Sequence, residues 1–149
     1  MRAAASGGSS PRRCAAPKHT AALIAREIGV EKIETEPRLI EQDYGIYENT
    51  DWDGEAFNRN KRQFAVRYPG GESMLDLAGR LYPMLDELKA QGGEPTLLVC
   101  HGGICRMIRT YFLDVPNEDY AAFKMANCGG LEFDLQTHPE GRHPPCSTF

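Results

Sequence analysis

Apolar residues recur at intervals of three and four between Leu77 and Leu88. Leu77, Leu81, Met84, Leu85 and Leu88 form one stripe, the pattern of a helix with a single buried face. Ser73 followed by Asp76 has the form of a capping box at its start, and the helix is predicted to run to about Ala90. Pro83 lies inside it with Gly79 four residues earlier, so a kink is expected rather than a break. A second, shorter apolar run, TLLVC at 96–100, is partly β-branched and too short for a helix, which predicts a buried strand of a parallel sheet. Ile104, Met107, Ile108, Tyr111 and Phe112 then return to helical spacing.

The remaining pattern is weaker. Pro17 to Ile28 reads as a helix with Pro17 in its first turn, Gly29 as its stop, and Ala21, Leu23, Ile24 and Ile28 on its apolar side. Lys32 to Glu36 leans towards a strand, and LIEQDYGIYENTDWDG is a polar loop of the kind that tends to carry function. Glu55 to Tyr68 has moderate helical character, and Leu131 to Leu135 reads as a last strand. MRAAASGG shows no strand pattern, so residues 1–8 are expected to be disordered or misjoined. Residues 136–149 form a proline-rich tail expected to be unstructured. The domain proper is predicted over 9–135.

With 149 residues, 41% hydrophobic and 26% charged, the chain suits one domain with a real core. A formal charge of -4 gives no broad attraction to nucleic acid or anionic membrane. Any phosphate must then be gripped by a local cluster of donors. Neither a leader-like apolar run nor a membrane-spanning stretch is visible in the sequence, so a cytoplasmic protein is expected. Five cysteines without paired CxxC spacing suggest reduced thiols rather than disulfides or zinc.

The strongest chemical constellation is strand, His101, Gly102, Gly103, helix. Ligands of α/β sheets bind beyond the carboxyl ends of strands, and a helix N-terminus there offers free N–H groups and partial positive charge to an anion. Two glycines let an oxyanion approach the backbone, and an imidazole beside them donates to a phosphate oxygen. Taken alone, the same residues also fit a glycine-rich turn with a satisfied histidine.

Other segments add order. SSP at Ser9 to Pro11, Thr20 and Ala21 on the following helix, LIEQDYG, GGES at Gly70 to Ser73, and HGG at His101 to Gly103 together resemble the motif series of the histidine phosphatase superfamily. Arg106 in HGGICR and Asn127 before the last strand also fall at family-like positions. EQDYGIYE and GGESMLDLAGR look most like the bacterial phosphatase branch. The resemblance implies a phosphoglycerate-mutase-like three-layer α/β sandwich with a mainly parallel sheet. It also implies phosphoryl transfer through a phosphohistidine, with a second histidine and arginines neutralising the transferred group. His101 is then the second histidine and Glu41 the proton donor. Ser10, Arg13 and Gly102 become phosphate-binding candidates, and Glu72 and Asn127 substrate-binding candidates. No metal or cofactor is implied, and the expected partner is a small phosphorylated substrate.

The pattern is also incomplete. The family's Arg-His-Gly motif, which carries the nucleophile on the first, central strand, occurs nowhere in the 149 residues, so the start reads as truncated and that strand as missing. Cys14 and Ala16 stand where the family places its next arginine, leaving Arg13, with Arg12 as competitor. His19, His138 and His143 are poor substitutes for the nucleophile. Two other readings follow: a phosphate-binding chain without turnover, and a cysteine-dependent phosphatase using the Cys-x5-Arg spacing of Cys100 and Arg106. Unpaired strand edges would favour self-association, a homodimer included.

Overall fold

The computed structural model describes residues 1–6, 11–48, 50, 54–136 and 147–148, and only the backbone of 11–16 and 147–148. Its frame is a parallel sheet of β1 (Arg2–Ser6), β2 (Ile33–Glu36) and β3 (Thr96–Val99) in the order β2-β1-β3. Ala3 pairs with Ile33 on one side and Leu97 on the other. The expectation that MRAAASGG carries no strand is thus corrected. Alanine is a poor strand former, but β1 lies between two partners that satisfy its backbone on both sides. Ala3 and Ala5 are fully buried, and their small side chains let a helix approach closely.

That helix is α1 (Pro11–Ile28). It begins six residues before the predicted start, with Pro11 rather than Pro17 in the first turn, where a missing N–H costs nothing. Its sheet-facing side is also narrower than the sequence suggests. Ala21 and Ala25 are buried, whereas Leu23 and Ile28 are about half exposed. Ala5, Ala21 and Val99 form a small core, with Ile24, Ile33 and Leu97 packed around it.

The opposite face of the sheet is covered by α3 (Met74–Gln91). Leu98, which alternates with Leu97 and Val99 across the pleat, joins the larger core of Leu77, Leu81, Met84, Leu85, Ile104 and Met107. Helix, sheet, helix is the layering the resemblance implied. The predicted cap of α3 is present: Ser73 Oγ accepts from the Asp76 N–H at 3.1 Å, and the Asp76 carboxylate accepts from the Ser73 N–H at 2.8 Å. Pro83 sits inside α3, which continues to Gln91.

Two predicted elements are shorter. Helix α2 spans Glu55–Lys61 rather than reaching Tyr68, because Phe64 turns inward against Tyr120, with ring centroids 4.7 Å apart. The last strand is only β4 (Leu131–Glu132), and it pairs antiparallel with β5 (Ser147–Thr148) inside the tail expected to be unstructured. Phe133, beyond β4, stacks flat on Phe112 at 4.4 Å instead of extending the ladder. A short α5 (Asn117–Ala122) follows α4 (Gly102–Phe112). Among the described residues no helix is long and apolar enough to cross a membrane.

Candidate functional site

Parallel strands place all their carboxyl ends on one edge of the sheet. Three segments therefore leave from that edge: the connection into α1 after Ser6, the loop following β2, and the turn from β3 into α4. His101 is the residue that caps α4, with extended backbone (φ -77°, ψ 162°). Gly102 and Gly103 form the helix's first two positions, and the Cys105 N–H closes the first turn on the His101 carbonyl at 3.1 Å.

The loop after β2 brings Glu41 to this turn. A Cβ on Gly103 would meet Glu41 Oε1 at 2.5 Å and the Tyr44 hydroxyl at 2.7 Å, so any larger residue there must push one of these side chains aside. Glu41 Oε1 accepts from the Gln42 N–H at 2.9 Å, and the Gly103 N–H also donates to the carboxylate. Burial pushes the Glu41 carboxyl above its usual range. The Gln42 N–H, the nearby His101 ring, the Gly103 N–H and the Arg106 guanidinium pull the other way without cancelling it. The outcome is a carboxyl group that keeps its proton to higher pH than a solvated glutamate does.

The loop is pinned by backbone and side chain together. The Asp43 N–H donates to Glu72 Oε2 at 2.9 Å, and the Glu72 N–H donates to the Asp43 carbonyl at 2.8 Å. Gly45 takes φ +56° and lies so close to the Pro69 carbonyl that a side chain would overlap it. Arg80, from the middle of α3, donates to the carbonyls of Arg38 and Ile40, the latter at 2.8 Å, and pairs with Glu72 through Nε at 3.1 Å. Glu72, a substrate-binding candidate from sequence, thus spends its carboxylate on Asp43 and Arg80. It works as a buttress of the loop.

The other candidates are placed as follows. Gly102 has open space apart from Met125, whose Cβ lies 3.5 Å from where a Gly102 side chain would start. In the segment from Phe123 to Gly129, Met125 therefore lies over the start of α4, while the Phe123 ring packs 4.1 Å from the Arg109 guanidinium in the last turn of that helix. Asn127 stands exposed in that segment, next to Cys128 with its left-handed backbone (φ 58°). Ser10 lies outside the described residues, as do His138 and His143, and Arg12 and Arg13 are described only as backbone in the first turn of α1. His19 is exposed on α1. Among the described residues no group of three or more His, Cys, Asp or Glu is arranged to hold a metal ion.

Behind Glu41 lies a charged and aromatic layer in which Arg106, at a family-like position, is joined by a buried lysine that sequence reasoning missed. Arg106, one turn beyond Gly103, is buried, with its guanidinium 5.6 Å from the Tyr120 ring centroid and with Nε and Nη1 lacking hydrogen-bond partners among the described residues. Lys61 is also buried, and its ammonium sits 4.7 Å from the Phe57 centroid. Burial, together with Arg106 and Lys124, brings its pKa down to about 8. Tyr44 and Tyr68 meet edge to face at 5.2 Å in the same layer. The i, i+4 spacing of Phe57 and Lys61 is the signal that could have exposed this cation.

The geometry disfavours the thiol reading of Cys100 and Arg106. The Cys100 thiol is held well above its usual range by its hydrogen bond with Cys105 and by burial, whereas a nucleophilic thiol needs the opposite shift. The guanidinium that should face it lies over Tyr120.

An α/β sheet with an acid, an imidazole and a helix N-terminus gathered at its carboxyl edge defines a class of anion-handling enzyme folds. The comparisons narrow the class. The profile of the histidine phosphatase superfamily (branch 1) matches residues 8–139, and the chain belongs to that family. It is 29% identical to a probable phosphoglycerate mutase of Yersinia pestis over 133 residues, 82% of this chain and 60% of that protein. It is 41% identical to the 6-phosphofructo-2-kinase/fructose-2,6-bisphosphatase of Gallus gallus over 61 residues, 41% of this chain and 13% of that protein. Among solved structures, it resembles a mycobacterial glucosyl-3-phosphoglycerate phosphatase in complex with inorganic phosphate, with TM-score 0.61, 25% identity, and coverage of 83% of this chain and 64% of that one. The alpha-ribazole phosphatase of Shigella flexneri shares the fold, with TM-score 0.59 at 19% identity, covering 84% of this chain and 62% of that one. The chain thus spans less than two thirds of the length of each of these relatives.

Proposed function

We propose that this chain carries the phosphate-receiving and proton-donating part of a histidine-phosphatase site acting on a small phosphorylated metabolite. One observation carries the reading: a carboxyl group with a raised pKa, Glu41, is held against the start of the α4 helix beside His101. In this reading the His101 imidazole donates to a phosphoryl oxygen, and the Gly102 N–H donates to a second one. The helix N-terminus adds its partial positive charge. Glu41, whose carboxyl holds its proton to higher pH than a solvated glutamate, gives that proton to the leaving oxygen as the P–O bond breaks. The similarity to phosphatases and a mutase of phosphorylated small molecules supports this substrate class.

Turnover through a phosphohistidine also needs an in-line nucleophile. The 149 residues contain no Arg-His-Gly, and that favours a second reading, in which the chain as given binds phosphate without hydrolysing esters. Titration calorimetry of the full chain with inorganic phosphate tests the binding common to both. His101→Ala should weaken binding about tenfold, the worth of one charge-assisted hydrogen bond. Undiminished binding by that variant would remove His101 from the site. Hydrolysis of p-nitrophenyl phosphate then separates the two readings: activity abolished by His101→Ala favours the first, and binding without activity favours the second.

A further inference from the structure

Two of the chain's thiols flank the His101–Gly103 turn and have no part in the chemistry proposed above. Cys100 follows the last residue of β3 and Cys105 sits in the first turn of α4, with their sulfurs 3.6 Å apart and in hydrogen-bond contact. Both side chains are only partly buried. We propose that Cys100 and Cys105 are a modification site, a vicinal thiol pair that hydrogen peroxide or a similar small peroxide converts to a disulfide across the anion-receiving turn.

Geometry and protonation agree on how this proceeds. The bond between the two sulfurs, with burial, pushes the Cys100 thiol well up, and the same bond pulls Cys105 below its usual range. Cys105 also lies in the first turn of a helix, where the dipole favours a thiolate. The Cys105 sulfur attacks one peroxide oxygen, the O–O bond breaks, and hydroxide leaves to become water, giving the sulfenic acid. With Cys105 oxidised, the bond that chiefly held the Cys100 thiol up is gone, and the Cys100 sulfur attacks the sulfenic sulfur. The S–O bond breaks, and the departing hydroxide takes the Cys100 proton as a second water. Two thiols lose two electrons in all, and one peroxide becomes two waters.

A disulfide holds its sulfurs at about 2.05 Å, so bonding must draw them together from 3.6 Å. The end of β3 and the first turn of α4 are the parts that must move, and His101, Gly102 and Gly103 lie between them. Oxidation is therefore expected to distort the turn and weaken phosphate binding. That consequence rests on the function proposed above, whereas the disulfide itself does not.

Both cysteines fall on one tryptic peptide, Ala90 to Arg106, which makes the test direct. The reduced full chain is treated with hydrogen peroxide, its remaining thiols are alkylated, and the peptide is weighed. The expected result is a loss of about 2 Da, the two thiol hydrogens, with no alkylation, reversed by dithiothreitol. Cys105→Ser should abolish this product, and Cys128→Ser should leave it intact. Two alkylated thiols at a peroxide dose that oxidises the exposed Cys128 would overturn the proposal, and this reading on the unmutated chain depends on no variant folding. In parallel, oxidised chain should bind inorganic phosphate about tenfold more weakly, the loss of one charged hydrogen bond. An unchanged affinity with the disulfide formed would refute the control of binding. A reduced chain that binds no phosphate would sink the functional reading alone, because the peptide mass decides the disulfide separately.

Discussion

The carboxylate of Glu41 and the α-carbon of Gly103 are in such close contact that one added methyl group would lie 2.5 Å from Oε1. An acid on one loop and a helix terminus on another are thereby locked in register, and the hydroxyl of Tyr44 closes the same gap.

Gly103→Ala should overpack the site. The new methyl must displace Glu41, held by the Gln42 N–H, or Tyr44, whose ring is packed against Phe57 and Tyr68, so a loss of about 1–3 kcal/mol in urea denaturation is expected. Phosphate affinity should fall with it. A variant as stable as the parent would mean that the loop yields freely.

Glu41→Gln tests the raised carboxyl pKa through stability. Because the folded state holds this proton more tightly than the unfolded chain, Glu41 contributes stability below the ordinary carboxylate range. That contribution is lost as pH rises through the higher folded value. Relative to the parent, the glutamine variant should gain stability on going from pH 4 to pH 7. Parallel thermal melts at the two pH values read the sign, and a variant that loses ground across that range contradicts the assignment.

Arg106→Met should release Lys61. The ammonium now titrates near pH 8, after burial the largest cause being the Arg106 charge. Without the guanidinium its pKa should climb towards that of an ordinary lysine, which NMR titration of the Nζ resonance would follow. Folding stability should change little, since a methionine of similar length leaves no unpaired Nε or Nη1 in the core.

Arg80→Met should loosen the loop that carries Glu41. It removes donors to the carbonyls of Arg38 and Ile40 and the partner of Glu72. The cost is expected at about 2–3 kcal/mol, because the bonds are charge-assisted and partly buried. Hydrogen exchange should then quicken at Asp43 and Glu72 before it does in α3, and uniform protection across the loop would argue against this tether.

Much of the framework can be read from sequence because its signals are local. The Leu77 to Leu88 stripe and the Ser73 to Asp76 cap state helix α3 in a few residues, and TLLVC before two glycines states β3 and the start of α4. The strand Arg2–Ser6 defeats such reading, since its extended form comes from β2 and β3 on either side and not from its alanines. Phe64 cuts helix α2 short for a similar reason, through a ring in α5 that no local window contains. At the site, His101 and the glycines announce themselves, and Glu41 is marked by its motif. Arg80, Lys61 and Tyr44 were missed because their roles depend on a loop, a buried cation and a glycine that are distant in sequence.

Since Glu41 follows β2 and Gly103 follows β3, the two meet only when both strands have docked on β1. Any excursion that peels either edge strand away separates acid from helix, even where α3 and its apolar neighbours stay intact. An anion seated in the turn would select the fully zipped sheet over those partly opened forms, so phosphate should raise the melting temperature, and go on raising it with the logarithm of its concentration above the dissociation constant.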